Sequence, residues 1–246
     1  MASIRSRDAR GLLELVHEGL TANGVEPFPP NVLHDLARLI PSDACVGYQE
    51  ADITGGFRVV EQVEVIGEQP TAAVEEAFRA LCGENPLNCI IRSRENRVLR
   101  LSDFMKPRAR RRLSYYSEVW RPHGIEDALR MWLPAPEGRA RSIYIERSGP
   151  NYTDREKTLL ELLRPHLIRI RDRRAATRFS WRIGRLTERE IEVLTHVADG
   201  RTNAEIAVLL VVSPHTVRKH LENVFEKLDV HTRTAAVACM QTRSST

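Results

Sequence analysis

Apolar side chains in the last quarter of the chain repeat with helical spacing, in four short runs. Spacings of three and four residues place such side chains on one face of a helix. Gly200 ends the first run, and Val211 with Val212 forms the turn after the second. The inward positions are Ile191, Leu194 and Val197, then Ile206, Leu209 and Leu210, then Val217, Leu221, Val224, Phe225 and Leu228, then Ala235, Ala236, Val237 and Met240. Four short helices predict a compact all-α domain.

Capping residues stand where these runs begin. In a Thr-x-x-Glu box the hydroxyl accepts from the N3 amide, and the glutamate accepts from the amide of the capping residue. The boxes are Thr153/Glu156, Thr187/Glu190 and Thr202/Glu205, and two further caps are Ser213, followed by Pro214, and Thr232. The first box predicts a long helix from Asp154 to about Arg178, which Pro165 kinks or interrupts.

The first 152 residues mix helical spacing with alternation of period two. In "RSIYIER", for example, Ile143 and Ile145 face opposite to Tyr144. Helices are predicted near Asp8–Asn23, Asn31–Ile40, Thr71–Leu81 and Arg108–Trp120, and strands near Ala44–Asp52, Phe57–Val65, Asn88–Arg92, Asp127–Leu133 and Arg141–Glu146. This order predicts an α+β domain, in which helices pack on an antiparallel sheet.

The mixed pattern of the first 152 residues and the helical pattern of the last quarter, with the long helix between them, divide the chain into three segments. We expect a sensor or dimerisation domain over residues 1–152, a connecting helix and linker over 153–185, and the helical domain over 186–246. The segment "FSWRIGR", Phe179 to Arg185, is interpreted as the linker, with Gly184 as its joint.

Composition narrows the class of protein. The chain has 246 residues, a net charge of +4 and a pI near 9.0, which permits a nucleic-acid partner without requiring one. It shows no apolar run of membrane-spanning length and no signal-peptide pattern, so a cytoplasmic location and no membrane contact are expected. Basic residues cluster over Lys106–Arg112 and Arg169–Arg185, as solvated helix surfaces or as contacts with a polyanion.

No motif for catalysis, a cofactor or a metal is present. We find no nucleophile elbow, P-loop, H-E-x-x-H or G-x-G-x-x-G, and therefore expect neither an enzyme nor a cofactor. Cys45, Cys82, Cys89 and Cys239 form no C-x-x-C pair, which favours reduced thiols over a zinc site or a disulfide framework.

The second and third helices of the last domain, joined by a tight turn, form a helix-turn-helix pattern. In such units the second helix enters the major groove of DNA. With Val217 and Leu221 facing inward, Arg218 and Lys219 face outward, where they can pair with guanine. The residues expected to contact double-stranded DNA are Thr202, Asn203, Ser213, His215, Thr216, Arg218, Lys219, Glu222, Asn223 and Lys227.

Residues 186–240 resemble the DNA-binding domain of the LuxR family of bacterial transcription regulators. The resemblance rests on "LTEREIEVL", "N-x-EIA", "S-x-x-TV-x-x-H" and "KL-x-V-x-x-R-x-x-AV". It implies a four-helix domain that binds DNA as a homodimer, with the last helix at the dimer contact. Carried onto this chain, the dimerisation residues are Thr232, Arg233, Ala236, Val237 and Met240. Arg218 departs from the pattern, because lysine is commonest there.

Several input domains precede this unit in the family, and the N-terminal pattern bears on each. A receiver would show an acidic pair and a βα rhythm, both missing here. An acyl-homoserine-lactone domain would resemble W-x-x-x-Y followed by Asp-Pro, and the chain contains no Asp-Pro. A GAF- or PAS-like sensor has a central antiparallel sheet with helices on one side and a cavity on the other. The predicted order of elements agrees with this fold.

The aromatic segment from Leu113 to Trp132 is the candidate for a ligand pocket. Tyr116, Trp120 and Trp132 are the proposed ligand-binding residues, and filling of the protein core is the alternative role for them. We therefore expect a sequence-specific DNA-binding transcription regulator, controlled by its N-terminal domain through a small ligand or a partner. Two alternatives stay open: a ligand-free dimerisation or protein-interaction module, and a quorum-sensing regulator of the acyl-homoserine-lactone type.

Overall fold

The computed structural model describes residues 5–24, 26–68, 70–88, 97–230 and 232–241, with the side chains of 179 and 238–241 outside that description. The chain forms two compact units, residues 1–174 and residues 175–246. No helix in the described part of the chain is long and apolar enough to cross a membrane.

The N-terminal unit is built on an antiparallel sheet of order β2-β1-β5-β4-β3. The strands are β1 Cys45–Asp52, β2 Arg58–Ile66, β3 Val98–Arg100, β4 Asp127–Leu133 and β5 Arg139–Arg147. β5 pairs with both β1 and β4, which places Tyr144 opposite Gly47 on one side and opposite Arg130 on the other. The expected α+β architecture is confirmed. The short β3 was not predicted, and the strand predicted at Asn88–Arg92 lies outside the described residues apart from Asn88.

The apolar face of the sheet carries the main core. Alternate side chains of β1, β4 and β5 pack there against the helices α1 Ser6–Thr21 and α2 Pro30–Leu39 and against α6 Asp154–Gly184. The buried strand residues on this face include Val46, Tyr48, Leu129, Met131, Ile143 and Ile145. The opposite face lies against α3 Ala72–Leu81 and the segment from Tyr115 to Ile125.

The segment between β3 and β4 corrects one prediction. Instead of a continuous helix over Arg108–Trp120, the structure has α4 Leu101–Phe104, α5 Pro107–Arg110 and a wide helical turn at Tyr116–Trp120. Arg110 explains the break, because its side chain is buried and pairs with Glu126, next to β4. A long-range ion pair of this kind leaves no local periodic signal.

Helix α6 is longer than predicted. Its N-terminal box is present, since Thr153 N–H donates to Glu156 Oε2 over 2.7 Å and Glu156 N–H donates to Thr153 Oγ1 over 3.3 Å. Pro165 lies inside the helix without ending it. Residues 179–184 are helical, so α6 continues beyond the predicted end at Arg178 and through most of the segment "FSWRIGR". Ile183, buried in the core of the C-terminal unit, accounts for the added helix.

The C-terminal unit has the four predicted helices: α7 Glu188–Ala198, α8 Asn203–Leu210, α9 Pro214–Leu228 and α10 Arg233–Gln241. Val193, Leu194, Ile206, Val217 and Val224 lie at the centre of its core. Leu209 was predicted to face inward, but 47% of its surface is exposed. The short α8 has room for only a narrow buried stripe, and Ile206, Ala207 and Leu210 occupy it.

Candidate DNA-binding surface and ligand cavity

Local capping fixes the start of α9. Ser213 Oγ accepts a hydrogen bond of 3.0 Å from Thr216 N–H, and Pro214 occupies the first helical position, where no N–H is needed. Four buried residues on the opposite side hold the helix to α7 and α8, namely Val217, Leu221, Val224 and Leu228. The first turns therefore leave one polar edge free to meet a partner.

Two cations and one carboxylate form that edge. The side chains of Arg218, Lys219 and Glu222 are 74%, 68% and 51% exposed. Glu222 lies between the cations, with Oε1 3.2 Å from Arg218 Nε and Oε2 3.8 Å from Lys219 Nζ. These exposed pairs are weak, so all three groups can exchange their contacts for base edges or phosphates. His215 is exposed beside them, and Thr216 and Asn223 are half-buried at the flank.

The start of α8 also offers polar groups, but most of them have partners within the unit. Thr202 forms a capping box with Glu205, and its Oγ1 donates to Glu205 Oε2 over 2.8 Å. Asn203 Oδ1 accepts a hydrogen bond of 3.1 Å from Arg233. Arg233 also donates to the carbonyl of Arg201. The predicted dimerisation residue Arg233 thus joins the start of α10 to the start of α8.

Lys227, a predicted DNA contact, is paired with a residue of its own unit. Its Nζ donates to both carboxylate oxygens of Glu190, a residue that is only 3% exposed. Burial raises the pKa of Glu190, but the hydrogen bonds from Lys227 and from Thr187 N–H outweigh it, so this pKa lies below its ordinary value. The ammonium group is therefore engaged between α7 and α9, which argues against a DNA contact by Lys227.

The other predicted dimerisation residues lie along α10. Thr232 Oγ1 accepts from Ala235 N–H over 3.1 Å and caps the helix. Ala236 is buried in the core of its own unit and Val237 packs against that core. The side chain of Met240 is outside the described residues. Ala236 therefore presents no surface to a second copy, whereas the exposed Thr232 does.

A cavity of about 350 Å³ lies on the second face of the N-terminal sheet. Its walls come from α3 and from the segment after Tyr115, and its floor comes from β1, β2, β4 and β5. The wall residues include Val74, Phe78, Tyr115, Val119, Trp120 and Ile125. A volume of this size and a largely apolar wall suit a small molecule.

The structure places one of the three predicted ligand residues in this cavity. Trp120 lines it, whereas Tyr116 and Trp132 do not. Tyr116 Oη donates to Glu126 Oε1 over 2.7 Å, and Trp132 Nε1 donates to the Leu87 carbonyl over 3.1 Å. Their polar atoms are satisfied inside the protein, which is the core role that was the alternative for them.

The floor holds residues that the sequence analysis missed. Gln49, Arg130, Tyr144 and Glu146 are all buried, yet they are polar and alternate with the apolar core residues of β1, β4 and β5. The alternation was visible in "RSIYIER", but only the packing of α3 over this face reveals that its polar side is covered. Buried polar groups are costly unless they have hydrogen-bond partners, which Gln49 and Tyr144 find in Ser142 and Glu64.

Comparison with known proteins identifies the C-terminal unit. Residues 185–240 match the family model described as "GerE: Bacterial regulatory proteins, luxR family". The match covers all four helices α7 to α10. This unit is therefore a luxR-family helix-turn-helix domain.

Relatives align with this same region. The regulatory protein YhcZ of Bacillus subtilis is 49% identical over 51 residues, which are 21% of this chain and 24% of that protein. RpaR of Rhodopseudomonas palustris, a quorum sensing-dependent transcriptional regulator, is 49% identical over 57 residues, or 23% of this chain and 24% of its own. The alignments thus span about a quarter of the length of these curated relatives.

Solved structures share their fold with most of this chain. SdiA in complex with octanoyl-rac-glycerol superposes with a TM-score of 0.54 at 15% identity, over 97% of this chain and 96% of that one. The VqsR LBD domain from Pseudomonas aeruginosa gives a TM-score of 0.52 at 16% identity, over 70% of this chain and 98% of that one. At such identities the likeness concerns the fold alone.

Proposed function

We propose that this protein is a transcription regulator that binds specific double-stranded DNA through α9 and is controlled by a small molecule in its N-terminal cavity. The observation that carries the proposal is the polar edge of Arg218, Lys219 and Glu222, held rigidly outward by the buried face of a capped helix. It stands in a domain of a family of regulatory proteins.

The geometry supports base contacts by one set of residues and phosphate contacts by another. Arg218 and Lys219 suit the acceptors of guanine, and Glu222 suits the amino group of cytosine. Ser213, Thr202, Asn203 and the backbone N–H of His215 in the first turn of α9 suit phosphate oxygens. We place His215, Thr216 and Asn223 at the edge of the same contact. A homodimer with α10 at its contact would read two half-sites about one helical turn apart.

The cavity supports control by a ligand over the ligand-free alternative. A module that only dimerises does not need a cavity of about 350 Å³ between its sheet and the covering helices. SdiA, whose fold is similar, has been solved with octanoyl-rac-glycerol. No contact in the cavity favours an acyl-homoserine lactone over other small molecules. We place the protein with its DNA, in the bacterial cytoplasm.

The test is selection of DNA by the full chain. The purified protein is exposed to random duplexes at two salt concentrations, and the enriched sequences are read. We expect a motif with two-fold symmetry. Enrichment should vanish in the double variant Arg218→Ala, Lys219→Ala and persist in Arg38→Ala, which removes one cation from an exposed site on α2. A steep salt dependence without enrichment would contradict the proposal, because it indicates charge attraction alone.

A further inference from the structure

The charged groups that line the cavity are unevenly distributed. Among the described residues at its mouth, Arg58, Glu68, Glu75 and Arg79 give two charges of each sign, all on exposed side chains. His123 is half-buried and also lines the cavity. The floor carries Glu64, Glu146 and one cation, Arg130. With both carboxyl groups ionised, the floor therefore has one negative charge in excess.

Glu64 is fully provided with hydrogen-bond donors. Its Oε2 accepts from Tyr144 Oη over 2.6 Å, from Cys45 Sγ over 3.1 Å and from Gln62 Nε2 over 3.1 Å. The carboxyl group of Glu64 therefore has partners inside the protein.

Glu146 is the group left short of donors. It is 6% exposed, its one hydrogen-bond donor among the described residues is the indole N–H of Trp120, and its Oε1 lies 4.0 Å from Arg130 Nη2. The guanidinium is turned away, because Arg130 Nη1 donates to Asn88 Oδ1 over 2.6 Å, and its buried Nε has no acceptor. A buried carboxylate with so little compensation needs either a proton or a cation.

Desolvation, opposed by Arg130 and reinforced by Glu64, raises the pKa of Glu146 to about 7. In the empty cavity a proton on this carboxyl removes the excess charge near neutral pH. A ligand cation can take the place of that proton.

The walls beside Glu146 suit the body of such a ligand. The rings of Phe78 and Tyr115 lie 6.2 Å apart, and those of Tyr115 and Trp120 lie 4.8 Å apart, edge to face. Aromatic rings attract cations through their faces and pack against other rings. Arg130 also lines the cavity, and its guanidinium can donate to an oxygen next to the cation.

We propose that the cavity binds a small aromatic amine, with its ammonium group on Glu146 and a neighbouring hydroxyl on Arg130. The inference rests on the proposed control by a ligand and specifies its chemical class. It assigns recognition of the ammonium group to Glu146, of the hydroxyl to Arg130, and of the body to Phe78, Tyr115 and Trp120.

Three probes that share a phenyl ring and a benzylic hydroxyl, and carry a cationic, neutral or anionic terminal group, test this class: phenylethanolamine, phenylethylene glycol and mandelate, titrated calorimetrically into the full chain. We expect the cation to bind about tenfold or more tightly than the neutral diol, and mandelate to bind most weakly, as befits a charge-assisted hydrogen bond. Affinity for the amine should rise about tenfold between pH 6 and pH 8, because the proton on Glu146 competes with it. Equal affinities, a preference for mandelate or no binding of the amine would overturn the proposal.

Two variants sharpen the test. Glu146→Gln should lower affinity for the amine about tenfold and leave that for the diol within about twofold. Glu76→Gln removes an exposed carboxylate of α3 that does not line the cavity and serves as the control, with no comparable loss. The wild-type series decides the question even if Glu146→Gln fails to fold. DNA selection is measured separately, so a failed probe series with intact DNA binding rejects the ligand class alone, whereas loss of DNA selection rejects the regulator.

Discussion

The Nζ atom of Lys227 lies 2.8 Å from Oε1 and 2.7 Å from Oε2 of Glu190, so that one carboxylate accepts both hydrogen bonds. Glu190 Oε2 also accepts from Thr187 N–H over 2.8 Å and thereby closes the capping box of α7. A single buried side chain thus fixes the start of α7 and holds α9 against it. The pair therefore links α9, which carries the polar edge of Arg218, Lys219 and Glu222, to α7.

Replacing Lys227 with methionine should destabilise the C-terminal unit. The variant leaves the Glu190 carboxylate buried without its cation, which costs about 1–3 kcal/mol of unfolding free energy. Because the pKa of Glu190 is held low, this contribution is present above its unfolded pKa and is lost as the pH falls through the folded value. Urea denaturation of the full chain near neutral pH and near pH 3 measures both effects.

The same variant tests the role of Lys227 at DNA. If the ammonium belongs to Glu190, the slope of log affinity against log salt stays unchanged wherever the variant is folded. A slope smaller by about one would instead show a phosphate contact.

Arg218→Ala and Lys219→Ala should each weaken specific DNA binding by about 1–3 kcal/mol without lowering stability, because both side chains are exposed. Glu222→Gln should act in the opposite sense on non-specific affinity, since it removes the anion between the two cations. Fluorescence anisotropy with selected and scrambled duplexes separates the effects. Unchanged affinity for the selected duplex in both alanine variants would remove α9 as the reading helix.

The predictions that held were those determined by neighbours in sequence. Thr187, Thr202 and Ser213 each needed only the residue three positions later to start a helix, and all three caps are present. The segment Arg108–Trp120 failed because Arg110 is buried against Glu126, 16 residues away. Helix α6 extends through most of the predicted linker because Ile183, near its end, is buried in the core of the C-terminal unit.

The candidate site residues divide in the same way. The exposed edge of α9 follows from helical spacing alone, so the exposure of Arg218 and Lys219 could be predicted. The cavity floor required knowledge of which sheet face is covered, so the sequence did not single out Arg130 and Glu146. The partner of Lys227 lies 37 residues away and leaves no local pattern.

The turn of the helix-turn-helix contains a strained residue. Val211 has φ 55° and ψ 47°, a left-handed conformation that β-branched residues avoid, and it is 90% exposed. Val211→Asn should therefore raise stability by about 1 kcal/mol, because asparagine tolerates this conformation and little packing is lost. Val208→Asn, at a 78% exposed position inside α8, makes the same chemical change without relief of strain and should not stabilise. Similar shifts in denaturation midpoint for the two variants would contradict this account.

The absence of a side chain at Gly47 leaves room for the side chain of Tyr144 against β1. A Cβ atom at this position would lie 2.4 Å from Tyr144 Oη and 2.7 Å from the Val63 carbonyl. Gly47→Ala should cost about 1–3 kcal/mol and disturb the bond from Tyr144 to Glu64 at the cavity floor. Gly55→Ala, where nothing lies within 4 Å, should be close to neutral. Thermal denaturation of the two variants makes the comparison, and equal melting temperatures would show that the floor can move.

Glu146 should make the N-terminal unit less stable as the pH rises. Its pKa is about 7 in the folded protein against 4.5 for a free side chain, so the folded state keeps a proton that the unfolded chain releases. Stability is therefore lost progressively as the pH rises from about 4.5 to 7 and stays low above this window. In the variant Glu146→Gln this side chain cannot ionise, so the variant does not lose stability in this way as the pH rises.

The free-energy difference between Glu146→Gln and the wild type should thus grow by about 3 kcal/mol from pH 4.5 to pH 8. Asp35 and Asp127, whose pKa values are also raised by burial, cancel in this difference. Trp181→Phe in both proteins restricts the fluorescence signal to Trp120 and Trp132, which belong to the N-terminal unit. Phenylethanolamine should restore part of the lost stability in the wild type at pH 8, because its cation replaces the proton. Parallel pH profiles for the two proteins would show that Glu146 is already compensated and carries no free charge into the cavity.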